Sequence, residues 1–409
     1  MLPNDQPAPA SAPSPPAPSK AASAIAPGVW VLGLVSLLMD VSSEMIHSLL
    51  PIFMVTGLAA SATTVGVVEG MAEATALIVK IFSGMLSDWL GRRKGLALLG
   101  YGMAALTKPM FALATSTAVV LGARLVDRVG KGIRGAPRDA MIADLALPQH
   151  RGAAFGLRQS LDTVGAVLGP LLAVALMLLW HNDFRAVFWV AVIPAVLAVA
   201  LLLFGVREPA AAPGARRANP ITRANLARLG AAYWWVVGVG AVFTLARFSE
   251  AFLLLRAQQA GVVVALVPLV LVAMNLAYTF CAYPFGKLSD TVSHRGLLAL
   301  GMLVLIGADL LLAASAHWTL MLAGVLLWGI HMGITQGLLA AMVAAAAPPD
   351  LRGTAFGFYG VLSGVSTLAA SVCAGVLWDG LGAGATFYAS AALAVLALLA
   401  LALRPAARR

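Results

Sequence analysis

Acidic and imidazole side chains recur at helical spacing near the start of the sequence. On a helix, Asp40, Glu44 and His47 would fall within about 60° of one another, because successive residues are about 100° apart. A carboxyl group that shares a low-dielectric site with a cation can form a fixed ion pair or can bind and release a proton. We interpret this face as a candidate proton-exchange site, with Asp40 and Glu44 as the first choices.

Two later stretches carry faces that could complement the first. Glu69, Glu73 and Lys80 fall within about 40° of one another by the same helical arithmetic. We predict that Glu73 is a further candidate for proton exchange and that Arg124 or Arg128 is the cation that switches proton affinity. The alternative to proton exchange is that the acidic and basic faces only neutralise each other in a static, structural ion-pair network. The basic face lies in RLVDRVGKGIRGAPRDAMIAD, residues 124–144, and comprises Arg124, Arg128 and Lys131, with Asp127 beside them.

Other chemistry for these residues is possible but has less support. Asp40, Glu44 and His47, with Glu69 and Glu73, could ligate a divalent transition metal, because carboxylate and imidazole groups suit such ions. No His-rich or Cys-rich tract supports a metal site, and the sequence shows no cofactor motif. The glycines of GKGIRG do not follow a strand and lack the Walker spacing, which argues against a nucleotide site.

Composition indicates where these charges must lie. The 409 residues are 61% hydrophobic and 11% charged, with a mean hydropathy of +0.91, whereas a soluble domain is about a quarter charged. The net charge of +10 comes from Lys and Arg in short gaps between apolar runs, a pattern of membrane topology rather than nucleic-acid binding. Cys281 and Cys373 lie in apolar runs and indicate no disulfide. We predict an integral membrane protein with no catalytic domain.

Apolar runs predict twelve transmembrane helices, since about 20 residues span a bilayer. The runs are residues 29–55, 64–86, 96–114, 118–141, 153–180, 184–204, 232–255, 262–285, 296–316, 319–346, 355–378 and 383–403. We therefore expect two six-helix bundles, 28–204 and 232–403. A Pro-, Ala- and Ser-rich tail (1–27), a cytoplasmic linker (205–231) and a basic tail (404–409) complete the division, the first tail being disordered and cytoplasmic.

Basic residues in alternate loops predict the orientation. They follow helices 2, 4, 6, 8 and 10, so the positive-inside rule places both termini in the cytoplasm, in a bacterial inner membrane. If residues 124–144 were only a solvated loop, the basic loops on its two sides could not both be cytoplasmic. The chain must therefore cross the membrane here, and its charges must find partners or a watery cavity.

Two segments return later in the chain at nearly the same offset. GMLSDWLGRR at 84–93 recurs as GKLSDTVSHR at 286–295, and RGAAFG at 151–156 recurs as RGTAFG at 352–357. The two offsets differ by one residue, which indicates a duplicated six-helix unit. Transporters are often built this way, with the substrate path where the repeats meet.

At these residues the sequence resembles the major facilitator superfamily, over residues 28–404. Residues 84–93 match the loop motif that this family carries between helices 2 and 3. The resemblance implies that the charges of this loop help to hold the cytoplasmic ends of the two halves closed, and that Asp290, at the place of Asp88 in the second copy, belongs to the same gate. The helix 5 pattern resembles that of the antiporter branch, and its glycines also predict close helix packing. The loop residues are Gly84, Leu86, Asp88, Gly91, Arg92 and Arg93; the helix 5 residues are Gly156, Gly165, Gly169 and Pro170.

The second half contains fewer charged residues within its predicted spans. Arg247 and Glu250 lie three apart in helix 7 and could form a local pair. Ser43-Glu44 and Ser249-Glu250 occupy comparable places in the first helix of each half, which favours a cavity-facing position for both glutamates. For His331 alone we expect an interior histidine with satisfied hydrogen bonds. Further polar cavity contacts are predicted at Asn275, Tyr278, His331 and Gln336.

The resemblance and the charges together imply a transporter that works by alternating access, most simply a proton-coupled exporter. A proton-coupled importer of a small anionic solute stays open, because Arg124, Arg128 and Lys131 suit a carboxylate or phosphate. A divalent-metal exporter and a non-transporting membrane sensor are further alternatives. The partners expected are a small, polar or charged solute, protons and the lipid bilayer, with no nucleic acid, and the chain is expected to function as a monomer.

Overall fold

A computed structural model describes residues 25–90, 93–147, 150–206, 228–289, 291–335, 337–348 and 351–402, except for the side chains of residues 84–90 and 353. Within these ranges every regular element is a helix. The predicted tail at 404–409 and nearly all of the predicted tail at 1–27 and linker at 205–231 lie outside the described residues. We call residues 25–206 the N-terminal half and residues 228–402 the C-terminal half.

The N-terminal half contains six long helices. Its helix starts follow local chemistry: Pro27 opens the first helix, where its missing N–H needs no acceptor, and the Asp183 carboxylate caps the sixth by accepting from two backbone N–H groups. The helices are α1 (Pro27–His47, continued by Leu50–Ile52 and a π-helix, Phe53–Gly57), α2 (Ala62–Leu90), α3 (Arg93–Ala112), α4 (Thr117–Leu145), α5 (Arg151–Leu179) and α6 (Phe184–Gly205).

The described residues of the C-terminal half also form six helical segments, two of which are broken. The prediction of a continuous seventh helix over 232–255 is wrong, because the helix stops at Leu245 and a new one starts at Ala251. The tenth ends at Thr335 and resumes after Gly337, which adopts a φ of +82°; Gln336 lies outside the described residues. The elements are α7a (Ala231–Leu245), α7b (Ala251–Gln259), a 3₁₀ turn (Val264–Leu266), α8 (Leu269–Ser289), α9 (His294–Ala314), α10a (Trp318–Thr335), α10b (Leu338–Ala346), α11 (Arg352–Leu381) and α12 (Ala383–Ala402).

Eight of these helical segments are long and apolar enough to cross a membrane by length and composition. The others are α7a and α7b, which have 15 and 9 residues, and α2, α3 and α4, which are long but carry charged side chains. The predicted class, an all-helical multi-pass membrane protein, is confirmed.

The cores of the two halves merge at only one end of the molecule. One cluster of buried side chains joins the C-terminal half to the parts of the N-terminal half that flank the α1–α2, α3–α4 and α5–α6 connections. Nearer the α4–α5 connection, a second cluster contains only N-terminal-half residues, and a third contains only C-terminal-half residues. The halves are therefore packed together at the first end and have separate cores at the other.

The helices α2 and α11 form the main seam between the halves. Glycines allow the two backbones to approach: a β-carbon added to Gly66 would collide with the carbonyl oxygen of Ser371, and one added to Gly375 would lie 2.5 Å from the Cα of Thr63. Small residues of this kind let membrane helices pack closely. The seam holds the start of α2, and with it Glu69 and Glu73, against the C-terminal half.

Candidate functional site

Glu69 on α2 and Arg124 on α4 form the most deeply buried ion pair among the described residues. The Arg124 Nε donates to Glu69 Oε1 at 3.2 Å, and its Nη2 donates to Oε2 at 2.6 Å. Both side chains are buried, so the guanidinium and carboxylate depend on each other for the solvation that water would give. The predicted meeting of an acidic face on α2 with a basic face on α4 is present here.

His47 connects this pair to the first acidic face. Its Nε2 lies 3.6 Å from Glu69 Oε2, and its Nδ1 lies 3.4 Å from Glu44 Oε2. The exposed fraction of the side chain falls from 24% at Glu44 to 13% at His47 and 1% at Glu69. These three residues form a chain of titratable groups that runs from an accessible carboxylate to a buried one. Together with Arg124, which stays charged, we call them the Glu44 chain.

A second ion pair lies one helical turn closer to the separated end of the halves. The Arg128 Nη2 is 2.9 Å from Glu73 Oε1, and Glu73 is partly accessible. Arg128 keeps one buried donor, Nε, with no hydrogen-bond partner among the described residues. Lys131, one turn further on, is exposed and forms no ion pair with any described residue. The basic face thus pairs fully at Arg124, partly at Arg128 and not at Lys131.

The partner of Asp127 is a lysine that sequence reasoning missed. Lys108 on α3 is buried, and its Nζ donates to Asp127 Oδ1 at 2.9 Å and to the Ser43 hydroxyl at 3.0 Å. The signal was available, since Lys108 stands inside a predicted membrane span, where a cation needs a partner. Asp127 therefore neutralises a cation of α3 and lies outside the Glu44 chain.

The helix 5 glycines lie directly against the acids of α1. A β-carbon on Gly165 would be 2.9 Å from the Asp40 Cβ, and one on Gly169 would be 2.7 Å from the Glu44 Cβ. Pro170 is buried beside them, within a helix that stays continuous. Gly156 is exposed and has open space around it. The motif therefore sets the distance between α5 and the carboxylate face of α1 through two of its glycines.

The glycines of GKGIRG also serve helix packing. The carbonyl oxygen of Gly130 lies 2.6 Å from where a β-carbon on Gly100 would stand, and a β-carbon on Gly132 would lie 2.7 Å from the Val79 Cβ. Added β-carbons would thus push α4 away from α3 and α2. Close backbone approach allows the charged side chains of these helices to reach one another.

The structure describes only part of the predicted gating loop. Gly91, Arg92 and Asp290 lie outside the described residues, as do the side chains at positions 84 and 88. Arg93 forms an ion pair with Asp144 on α4. In this state Arg93 therefore bonds within the N-terminal half rather than across to the other half. Lys80, which helical spacing places on the same face of α2 as Glu69 and Glu73, is exposed.

In the C-terminal half, the predicted local pair of Arg247 and Glu250 is absent among the described ion pairs. Both residues lie in the break between α7a and α7b, where helical three-residue spacing no longer applies, and the Arg247 guanidinium stacks 5.7 Å from the Phe243 ring centre. Asn275 and Tyr278 are partly buried on α8.

His331 is buried as predicted, but the expectation of satisfied hydrogen bonds is wrong. Neither ring nitrogen has a hydrogen-bond partner among the described residues, and the ring packs edge-on against Trp328 at 5.3 Å.

The alternative of a metal site finds no geometric support: the described residues contain no group of three His, Cys, Asp or Glu side chains arranged to hold an ion. His47 instead bonds to the two glutamates that would have been its fellow ligands.

Comparisons with known proteins agree with this architecture. A family model described as Major Facilitator Superfamily matches residues 32–261 and 242–409. An uncharacterized MFS-type transporter of Methanocaldococcus jannaschii is 31% identical over 357 residues, covering 86% of this chain and 88% of its own length. The multidrug resistance protein MdtH of Photorhabdus laumondii is 29% identical over 162 residues, covering 40% of this chain and 39% of its own length.

Among solved structures, the chain is similar in fold to a bacterial homolog of the human lysosomal transporter Spinster in an inward-facing and occupied conformation. The TM-score is 0.76 at 17% sequence identity, and the match covers 92% of this chain and 95% of that chain.

Proposed function

The chain belongs to the major facilitator superfamily, and from this premise we propose that it exports a small solute by alternating access, in exchange for protons that move inward. As a member of this family it is a secondary transporter and not an enzyme. We further propose that it lies in a bacterial inner membrane with both termini in the cytoplasm, that residues 28–204 and 232–403 are its two six-helix units, and that it works as a monomer.

The observation that carries the proposal of proton coupling is the Glu44 chain. A proton entering from the cavity can reach Glu44 first, pass to His47, and then neutralise Glu69, because the three groups are in sequential contact. Once Glu69 is neutral, it no longer balances the charge of Arg124. The guanidinium would then be a buried cation without a counter-ion, an unfavourable state that favours movement of α4 relative to α2.

The arrangement of the cores supports an inward-open state under the proposed orientation. The halves are joined at the end that carries the α1–α2, α3–α4 and α5–α6 connections, which the positive-inside rule assigns to the outside. They have separate cores at the end with the α4–α5 connection. Lys131, Glu73 and Glu44 would then be reached from the cytoplasm.

Two observations favour export over import. The helix 5 glycines, whose pattern resembles that of the antiporter branch, pack against Asp40 and Glu44, so motion of α5 acts directly on the candidate proton sites. The relative from Photorhabdus laumondii is named a multidrug resistance protein. The unpaired Lys131 and partly accessible Glu73 make the cavity polar, which supports a polar or charged solute.

Everted membrane vesicles that contain the full chain test the proposal. Acidification of the vesicle interior is followed with a pH-sensitive dye, and antibiotics, metal salts and organic acids are added in turn. We expect at least one solute to release protons and to accumulate only when a pH gradient is present. Glu44→Gln and Asp40→Asn should lose this coupling at near-normal abundance, because neither change leaves a buried cation unpaired.

Asp183→Asn is the matched control, since it neutralises a carboxylate that only caps α6. Accumulation of the solute without a pH gradient would contradict the proposal. So would proton-coupled accumulation in both Glu44→Gln and Asp40→Asn that equals that of the wild type. A collapse of abundance in both variants would instead favour a structural ion-pair network.

A second candidate is proton-coupled import of a small anionic solute. Among the described residues, Lys131 is exposed and has no ion-pair partner, and the Arg128 Nε has no acceptor, so the two could bind a carboxylate or phosphate. Import predicts that adding an organic acid to intact cells makes the external medium more alkaline. Lys131→Gln should abolish this change, and Lys80→Gln, which removes another exposed lysine, should not.

A further inference from the structure

A second titratable site lies in the C-terminal half, outside the Glu44 chain. Asp309 on α9 is fully buried, with no measurable exposed surface. Its Oδ1 has no hydrogen-bond partner among the described residues. Its Oδ2 has one, the Ser390 hydroxyl of α12, at 2.5 Å. An isolated ionised carboxylate in such a site would lose its hydration with nothing to replace it.

Within the described ranges, no ion pair compensates the carboxylate of Asp309. The helices α10a and α12 pack against α9, Ala246 at the break in α7 contacts Ser390 of α12, and Arg256 of α7b contacts the end of α9. Their titratable and charged residues are His331, Tyr388, Arg247, Glu250 and Arg256. None forms an ion pair with Asp309; Tyr388 is exposed, and Arg256 donates to the carbonyl oxygens of Leu312, Ala313 and Ser315 instead.

The contacts of Ser390 show where a proton must be. Its hydroxyl oxygen lies 2.5 Å from Asp309 Oδ2 and also 2.5 Å from the carbonyl oxygen of Ala246. A carbonyl oxygen only accepts, and an ionised carboxylate only accepts. The hydroxyl has a single hydrogen and can satisfy only one of them. The other contact would then be two oxygen atoms at hydrogen-bond distance with no hydrogen between them.

We propose that Asp309 is a proton-binding site, occupied in this state: the neutral acid donates to Ser390, which donates to the carbonyl oxygen of Ala246. Each short contact then contains one hydrogen, and no charge is buried. The proton is also linked to a structural element, because Ala246 is the C-cap residue that directly follows the last residue of α7a. If Asp309 released its proton, Ser390 would turn its hydrogen to the carboxylate and leave the Ala246 carbonyl unpaired.

This link gives the second half of the transporter a proton-dependent hinge. Arg247 and Glu250 lie in the break that follows Ala246. Release of the Ala246 carbonyl would free the break to move and would shift these two side chains with it. The site is separate from the Glu44 chain, and its occupancy does not depend on the direction of transport.

Infrared spectroscopy of the purified full chain in lipid nanodiscs at neutral pH tests the proposal without any substrate. The wild-type minus Asp309→Asn difference spectrum should show the carbonyl stretch of a protonated carboxylic acid. Since the Asn amide can also donate to Ser390, the variant should unfold at nearly the wild-type temperature. Absence of the band from the difference spectrum would overturn the proposal.

If Asp309→Asn does not fold, protein carrying ¹³C in its aspartate carboxyl groups provides the same test. The proposal is supported by a protonated-carboxylic-acid band whose frequency shifts with the ¹³C label and which persists in Asp40→Asn. The absence of such a band overturns the proposal. Ser390→Ala should move the band. Thr386→Val is the matched control, because the Thr386 hydroxyl lies on the same helix but donates to the Ala374 carbonyl. The carboxylic-acid band should stay at the wild-type frequency in this control. If Ser390→Ala also left the band at that frequency, the proposed donation from Asp309 to Ser390 would be contradicted.

Discussion

The carboxylate of Asp379, near the end of α11, caps the start of α2 across the boundary between the two halves. Oδ1 accepts from the Ala62 N–H at 3.0 Å, and Oδ2 accepts from the Thr63 N–H at 2.8 Å. These N–H groups belong to the first turn of α2 and have no acceptor within their own helix. Since α2 and α11 belong to different halves, the contact exists only while the halves are closed at this end.

Replacing Asp379 by Ala should therefore weaken the closed state relative to the state that is open at this end. Loss of an N-terminal cap costs about 1 kcal/mol, and the favourable interaction of the carboxylate with the helix dipole adds a few tenths at an exposed site. A total of about 1–1.4 kcal/mol corresponds to roughly a five- to tenfold change in the ratio of the two states. Asp379→Asn should change it less, because Asn is also a good cap.

Spin labels on either side of the closed end measure this ratio directly. Ala118, at the start of α4, and Thr319, at the start of α10a, are exposed and lie on opposite halves. Both are replaced by Cys in a chain in which Cys281 and Cys373 have been changed to Ser. Distance distributions from pulsed electron resonance should show a larger long-distance population in Asp379→Ala than in the parent.

Asp183→Ala is the control, because Asp183 caps α6 with the same chemistry, through two N–H donors at 3.0 and 3.1 Å, but entirely within one half. It should lower stability without moving the distance distribution. The reasoning is refuted if Asp379→Ala leaves the distribution unchanged or if the two variants shift it equally.

Three further outcomes follow from packing and charge within the N-terminal half. Glu69→Gln should lower the free energy of unfolding by about 3–5 kcal/mol, because Arg124 is left buried without its counter-ion; a thermal melt that matches the wild type would contradict this. Gly169→Ala should cost about 1–3 kcal/mol through overpacking against α1, whereas Gly156→Ala, which meets open space, should leave the melting temperature unchanged; equal melts for both would disprove the packing argument. Lys108→Met should destabilise the fold more than Lys108→Arg, as judged by the yield of monodisperse protein in detergent, because only the first leaves a buried carboxylate without a cation; equal yields would show that this buried pair adds nothing.

Local pattern was sufficient to predict the helices and which helices carry charge. Long apolar runs specify membrane helices wherever they occur, and helical spacing predicts that Glu69 and Glu73 share one face. The pattern failed where a neighbour intervenes. The break between α7a and α7b lies inside the run 232–255 that predicts one continuous helix, and the Ala246 carbonyl left by that break is satisfied by Ser390 of a distant helix.

Pair assignments needed the relative rotation of helices that are far apart in sequence. The sequence predicted that acids of the first two helices would meet cations of the fourth, and this is so for Glu69 and Arg124. It did not predict that Asp127 would turn to Lys108, because the choice depends on how α3 packs against α4.

The sequence by itself determined the helical class, the positions of most of the long helices and the presence of charge inside them, because each depends on residues close together in the chain. Only the tertiary structure decided which charges neutralise each other, which stay accessible, and that Asp309 forms no ion pair with any described residue. Those outcomes depend on distances between helices that only the packed bundle defines.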